Sequence, residues 1–148
     1  MATKIAFCIK DFLSKETNKI LLKKIPHVKI IGEFDDANDL LLNLRNRIPD
    51  IIIYDLQSNN LIDIAEIKKI LTISSEVKVI VTCTFEDTRT IAATFSLGAI
   101  AFLTKRDLSV SELSNAINYA KDNNHYVSRC CEYKMININK MIQLNYSY

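Results

Sequence analysis

Glycine and proline are scarce in this chain of 148 residues, two of each, and the scarcity excludes whole classes of function. A cradle for a nucleotide or flavin phosphate needs a loop rich in Gly, Ser or Thr after the first strand. Lys10-Asp11-Phe12-Leu13 is not such a loop. No apolar run reaches membrane-spanning length, and Met1-Ala2-Thr3-Lys4 leads into a short strand rather than a signal-peptide core. An excess of one charge is missing too: 19 Lys and Arg stand against 17 Asp and Glu, a net charge of +2 that carries no nucleic-acid footprint. The four cysteines, Cys8, Cys83, Cys130 and Cys131, make no CxxC and have no nearby His pair. They are expected to be reduced thiols in a soluble cytoplasmic protein, with no zinc or redox site. No internal repeat is present.

What is there is apolar and ordered. The hydrophobic share of 49% is enough for one domain with a sizeable core. The run Pro49-Asp50-Ile51-Ile52-Ile53-Tyr54-Asp55 shows no polar alternation, the pattern of a strand covered on both faces in a parallel sheet. It ends on a carboxylate, and such sheets present their functional groups at the carboxyl ends of strands.

The rest of the chain alternates around that strand. Residues 4–9 read as a strand, and 14–25 as a helix through Leu13, Ile20, Leu21 and Ile25, stopped by Pro26. Residues 28–31 form a second strand. Asp36 then caps a helix whose stripe is Ala37, Leu40, Leu41, Leu44 and Ile48, with Asn43, Arg45 and Arg47 turned away. After Asp55 comes a polar loop, Gln57-Ser58-Asn59-Asn60, and a helix through Ile64, Ile67, Ile70 and Leu71. A strand at 77–81 precedes a helix with Ile91, Ala92 and Phe95 inward, Glu86 and Asp87 at its start and Gly98 at its end. A strand at 99–103 leads to Lys105. Ser109 and Glu112 make a capping box for a helix carrying Val110, Leu113, Ala116, Ile117 and Ala120.

Crossovers of this length impose parallel, right-handed βαβ units. The expected fold is a (βα)5 doubly wound α/β sandwich with a five-stranded parallel sheet, in which Asp11, Asp55 and Cys83 converge at the strand ends. Residues 1–126 form the domain and 127–148 a linker or helical tail. In that tail Cys131, Met135, Ile138 and Ile142 are spaced for a helix, while Ile136-Asn137-Ile138-Asn139 alternates like a strand.

Asp11, the Asp55 strand, Gly98-Ala99-Ile100-Ala101-Phe102-Leu103-Thr104-Lys105 and Tyr126-Val127-Ser128 together resemble the receiver domain of bacterial two-component response regulators, a CheY-like, flavodoxin-like fold. The subgroup is the NarL/LuxR type, and the resemblance spans about residues 3 to 128. It implies that Asp55 is the phospho-acceptor for a histidine kinase in a phosphorelay. Lys105 matches the ammonium that stabilises the phosphoryl group, and Asp11, Asp55 and the Gln57 carbonyl match the Mg²⁺ ligands. Phe102 matches the aromatic switch residue, against a packing role that suits it equally.

Three departures bear on that chemistry. Lys10 stands where the family has the first of two acids, so Mg²⁺ binding is expected to be weakened; Lys10 could also pair with Asp55 in the metal's place. The hydroxyl expected at the end of the fourth strand falls on Cys83, with Thr82 and Thr84 reaching the site only after a one-residue register slip. Ser58-Asn59-Asn60 replaces the small and Pro-Gly residues common after the acceptor.

The resulting expectation is an atypical receiver, not an enzyme, controlling transcription as a homodimer. It would touch DNA only through a helix-turn-helix domain that this chain lacks, and it would make no membrane contact. A phosphorylation-competent receiver, a stand-alone adaptor and a flavodoxin-like ligand-binding protein are the alternatives.

Overall fold

A computed structural model of the chain describes residues 1–43, 47–58, 60–72 and 74–146, and the side chains of all of these except Leu61 and residues 141–146. Leu44, Arg45, Asn59 and the side chain of Ile142 therefore lie outside the described residues.

The strands are β1 (Thr3–Cys8), β2 (Val28–Phe34), β3 (Ile51–Leu56), β4 (Lys78–Cys83), β5 (Ala101–Thr104) and β6 (Tyr126–Val127). The helices between and after them are α1 (Phe12–Leu22), α2 (Ala37–Asn43), α3 (Leu61–Leu71), α4 (Thr88–Ser96), α5 (Val110–Lys121) and α6 (Glu132–Tyr146). All strand pairs are parallel, in the order β2-β1-β3-β4-β5-β6. The fold is the doubly wound sandwich expected, widened by a sixth strand of two residues at the β5 edge.

Alternation along the central strands sorts the core into two layers. Ile51, Ile53, Ile80 and Leu103 pack with Leu22 of α1 and Leu113, Ala116, Ile117 and Ala120 of α5. Ile52, Val79, Val81, Cys83 and Phe102 pack with Leu40 of α2, Ile64, Ile67 and Ile70 of α3, Ile91 of α4 and Ile138 of α6. Every residue of β3 is buried, as its unbroken apolar run requires of a strand covered on both faces.

Local chemistry fixes the helix ends. Asp11, Asn60, Asp87 and Ser109 each accept a backbone N–H of the first turn of their helix, and Asp36 accepts from Asp39 N at 2.8 Å. Gly98 follows α4 with φ 112°, and a Cβ there would stand 2.7 Å from Leu71 Cδ1.

Several expectations are corrected. The phase of α1 is set by its cap at Asp11, which turns Leu13 and Ile20 to solvent and Asn18 and Leu22 inward. The helix stops at Leu22, before Pro26, and His27 then takes φ 61° to turn the chain into β2. Ile48 lies beyond α2 and is exposed. The capping box at α5 is half formed: Ser109 Oγ accepts from Glu112 N at 3.1 Å, but the Glu112 carboxylate accepts from the Tyr126 hydroxyl and from Arg129 N instead. In the tail the helical spacing prevails over the alternating one. Cys131 and Ile138 are buried and Met135 packs against them, with α6 seated on α4.

Candidate functional site

The parity that sorts the core also assembles the site. Asp55 continues the Ile51/Ile53 side of β3, Thr82 the Ile80 side of β4, and Lys105 the Leu103 side just past β5. Asp55 is paired in register with Thr82, and Leu56 with Cys83. The Thr82 hydroxyl therefore donates to Asp55 Oδ1 at 2.8 Å. The expected placement of Cys83 is overturned, because its side chain points to the opposite layer, where its sulfur accepts from Phe85 N at 3.3 Å. Burial pushes the Cys83 thiol up to about 11.

Lys105 closes the pocket, its Nζ standing 3.0 Å from both oxygens of Asp55. The Asp55 side chain is fully buried and that of Lys105 is 28% exposed. Gln57 donates its side-chain Nε2 to Asp55 Oδ2 at 2.7 Å. One buried carboxylate thus receives a hydroxyl, an amide and an ammonium, the compensation that a desolvated anion requires.

Lys10 and Asp11 behave differently from each other. Lys10 lies at the rim of a cleft of about 250 Å³ beside Asp55, a cleft also edged by Asp35, Asp36, Asp63 and Glu66. Among the described residues no carboxylate comes within ion-pair distance of Lys10, so Lys105 and not Lys10 neutralises Asp55. Asp11 is turned to its own helix, its Oδ2 accepting from Ser14 Oγ at 2.8 Å and Ser14 N at 2.9 Å. These bonds, with Lys105 nearby, hold its carboxyl below the usual range. On the cleft's inner wall the Tyr54 hydroxyl donates to Glu66 Oε2 at 2.6 Å, and burial pushes Cys8 up to about 12.

These donors do not fit a resident Mg²⁺. Both oxygens of Asp55 are occupied by hydrogen-bond donors, the Gln57 side chain among them, Asp11 is engaged as a helix cap, and a cation edges the cleft. Phe102 is fully buried between Val81 and Val127, in the layer that α4 and α6 cover.

Sequence reasoning missed two elements of this region. Thr82 was legible from strand alternation, since it shares parity with Ile80. The contact of Glu86 with the Cys130-Cys131 pair had no local signal, because it joins segments far apart in the chain.

The sheet is parallel in this order and carries Asp55, Thr82 and Lys105 at the ends of β3, β4 and β5. No protein-family model and no curated protein matches the sequence. Solved structures do. The isolated REC domain of RcsB from Salmonella enterica serovar Typhimurium, in the presence of phosphomimetic BeF3-, superposes with TM-score 0.80 at 18% identity, covering 90% of this chain and 99% of that one. A LuxR-family two-component response regulator from Aurantimonas sp. SI85-9A1 gives TM-score 0.82 at 17% identity over 94% and 99%. RcsB dimers bound to two parallel DNAs give 0.78 at 17% over 90% and 68%. The chain has the receiver-domain fold of these structures.

Proposed function

We propose that this chain is the signal-receiving module of a two-component response regulator that controls transcription, atypical in that Mg²⁺-dependent phosphorylation of Asp55 is impaired. The observation that carries this reading is the Asp55 carboxylate, buried and held by Lys105 at 3.0 Å and Thr82 at 2.8 Å, at the carboxyl edge of the sheet. Lys105 and Thr82 are the groups that would stabilise added negative charge on Asp55. Phosphoryl transfer to a carboxylate also calls on a divalent cation, and Lys10 opposes its entry. The module acts as a non-enzymatic switch in the cytoplasm. It works as a homodimer and reaches DNA through a separate domain, as the RcsB dimers on DNA suggest by analogy.

A second reading has a specific observation in its favour. A hydroxyl, and not a thiol, faces Asp55, so one of the departures that argued against a working switch is gone. A histidine kinase would then remain a direct partner.

Intact-protein mass after incubation with a small-molecule phosphodonor and Mg²⁺ separates the two. The atypical reading expects no phosphoryl adduct and an unchanged elution volume on size exclusion. An adduct that is lost in Asp55→Asn, with a shift to dimer, establishes the second reading instead.

A further inference from the structure

A few residues past Thr82, the loop between β4 and α4 meets the start of α6. Glu86 from the loop and Cys130 and Cys131 from the 3-10 turn Arg129–Cys131 bring three ligand atoms within 4.8 Å of one another. The two sulfurs are 3.7 Å apart. Two thiolates on one tetrahedral zinc, with Zn–S of about 2.3 Å, stand about 3.7–3.8 Å apart. The spacing therefore suits a shared ion.

The arrangement is built by the fold. The turn is closed by Cys131 N donating to Ser128 O at 2.8 Å, and Ser128 is itself fully buried, its hydroxyl accepting from Thr104 N at 2.9 Å. Cys130 Sγ lies 3.4 Å from Thr104 Oγ1, so the pair is fixed against the end of β5. Cys131 is buried, Glu86 is half-buried and Cys130 is exposed, which leaves an approach from solvent.

The surroundings suit an anionic ligand set. Arg106 Nη2 stands 2.9 Å from Glu86 Oε2, and Lys134 Nζ donates to the Glu86 carbonyl. Two thiolates and a carboxylate carry one more negative charge than a divalent ion neutralises, and these cations offset it while holding the carboxylate in place. Sulfur ligands select a borderline or soft ion over Mg²⁺ or Ca²⁺.

We propose that Glu86, Cys130 and Cys131 bind one thiophilic divalent cation of the zinc class, with the fourth position left to water. The ion ties the β4–α4 loop to the beginning of α6. The site is separate from the Asp55 pocket and stands whether or not the receiver reading holds.

The test is a Co²⁺ titration of the reduced, metal-free full chain, followed by competition with Zn²⁺. The expected result is one Co²⁺ per chain, a sulfur-to-cobalt charge-transfer band in the near ultraviolet, tetrahedral visible bands, and bleaching of both by Zn²⁺. Cys130→Ser, at an exposed position, weakens Co²⁺ binding and at least halves the charge-transfer band while keeping the wild-type circular dichroism. Glu86→Gln weakens binding, and Asp55→Asn leaves it unchanged. A weak octahedral spectrum without the sulfur band, or a sulfur band of undiminished intensity and affinity in Cys130→Ser, overturns the proposal. As a second readout, Zn²⁺ raises the melting temperature of the wild type and not of Cys130→Ser; an equal rise in both counts against the site.

Discussion

The Tyr126 hydroxyl donates to Glu112 Oε2, so the last strand of the sheet is bonded to the first turn of the helix that leads into it. Glu112 is buried, and its other oxygen accepts from Arg129 N at 3.2 Å. A carboxylate that sequence would assign to capping its own helix instead joins α5, β6 and the turn before α6.

Removing Tyr126 leaves the buried Glu112 carboxylate with one bond fewer, and removing Glu112 leaves the half-buried Tyr126 hydroxyl without that acceptor, a loss of about 1–3 kcal/mol. Glu112→Ala is the costlier change, because it strips the Arg129 amide as well as the Tyr126 hydroxyl. Urea unfolding of Glu112→Ala, Tyr126→Phe and the double variant measures the coupling. Strictly additive losses would mean that the two groups do not interact.

The same pair sets an alkaline limit. Burial, followed by the bond to Glu112, pushes the Tyr126 phenol up to about 12 from an ordinary 10. With the folded value above the unfolded one, the contribution is whole below pH 10 and is lost as the pH climbs through 12. The phenol of Tyr54 is also raised, by burial and by Glu66. Absorbance at the tyrosinate band should show both ionising late, and Tyr126→Phe and Tyr54→Phe should each remove amplitude from the high-pH phase only.

Lys105→Met deprives a fully buried carboxylate of the one ammonium paired with it among the described residues. Breaking such a pair costs about 3–5 kcal/mol when both partners are buried; the partial exposure of Lys105 reduces the loss to about 1–3 kcal/mol. Asp55→Asn in the same chain should recover most of it. Calorimetric melting of the two single variants and the double variant reports this, and an undiminished deficit in the double variant would show that Lys105 stabilises through its stem alone.

Thr82→Val and Cys83→Ser have opposite expectations. The valine removes the 2.8 Å hydroxyl donor to Asp55, while the serine alters a group packed in the other layer. The Asp55 carboxyl carbon resonance should move with the first substitution and stay with the second. Movement with Cys83→Ser alone would return the thiol to the pocket.

Lys10→Asp replaces the cation at the cleft rim by a carboxylate beside Asp55. Calorimetric titration with Mg²⁺ should show a gain in affinity of at least about tenfold, in line with one added charge-paired ligand. An unchanged isotherm would place the obstacle at Gln57 or Asp11 instead.

Much of the architecture was legible because each element carried its own local signal. The unbroken isoleucines of β3, the cap at Ser109 and the stripe of α5 each needed only neighbours in sequence. The site was legible where a strand end determined it, as at Asp55 and Lys105. It was lost at Thr82 for want of one residue of parity, which periodicity sets only once the inward side of β4 is known. The phase of α1 was misread because Leu13, Ile20 and Leu21 are apolar without all being covered. Contacts such as Glu112 with Tyr126 or Glu86 with Cys130 depend on tertiary placement, and no spacing announces them.

Ser128 has a further consequence. Its amide donates to Phe102 O, and its hydroxyl accepts from Thr104 N. One residue satisfies two β5 groups that a longer neighbouring strand would otherwise take. An edge left with such groups bare is a template for strand addition by another molecule. Here a two-residue strand and a single hydroxyl finish the sheet, so that the margin presents a much shorter ladder for a misfolded copy than a strand running the length of β5 and beyond would.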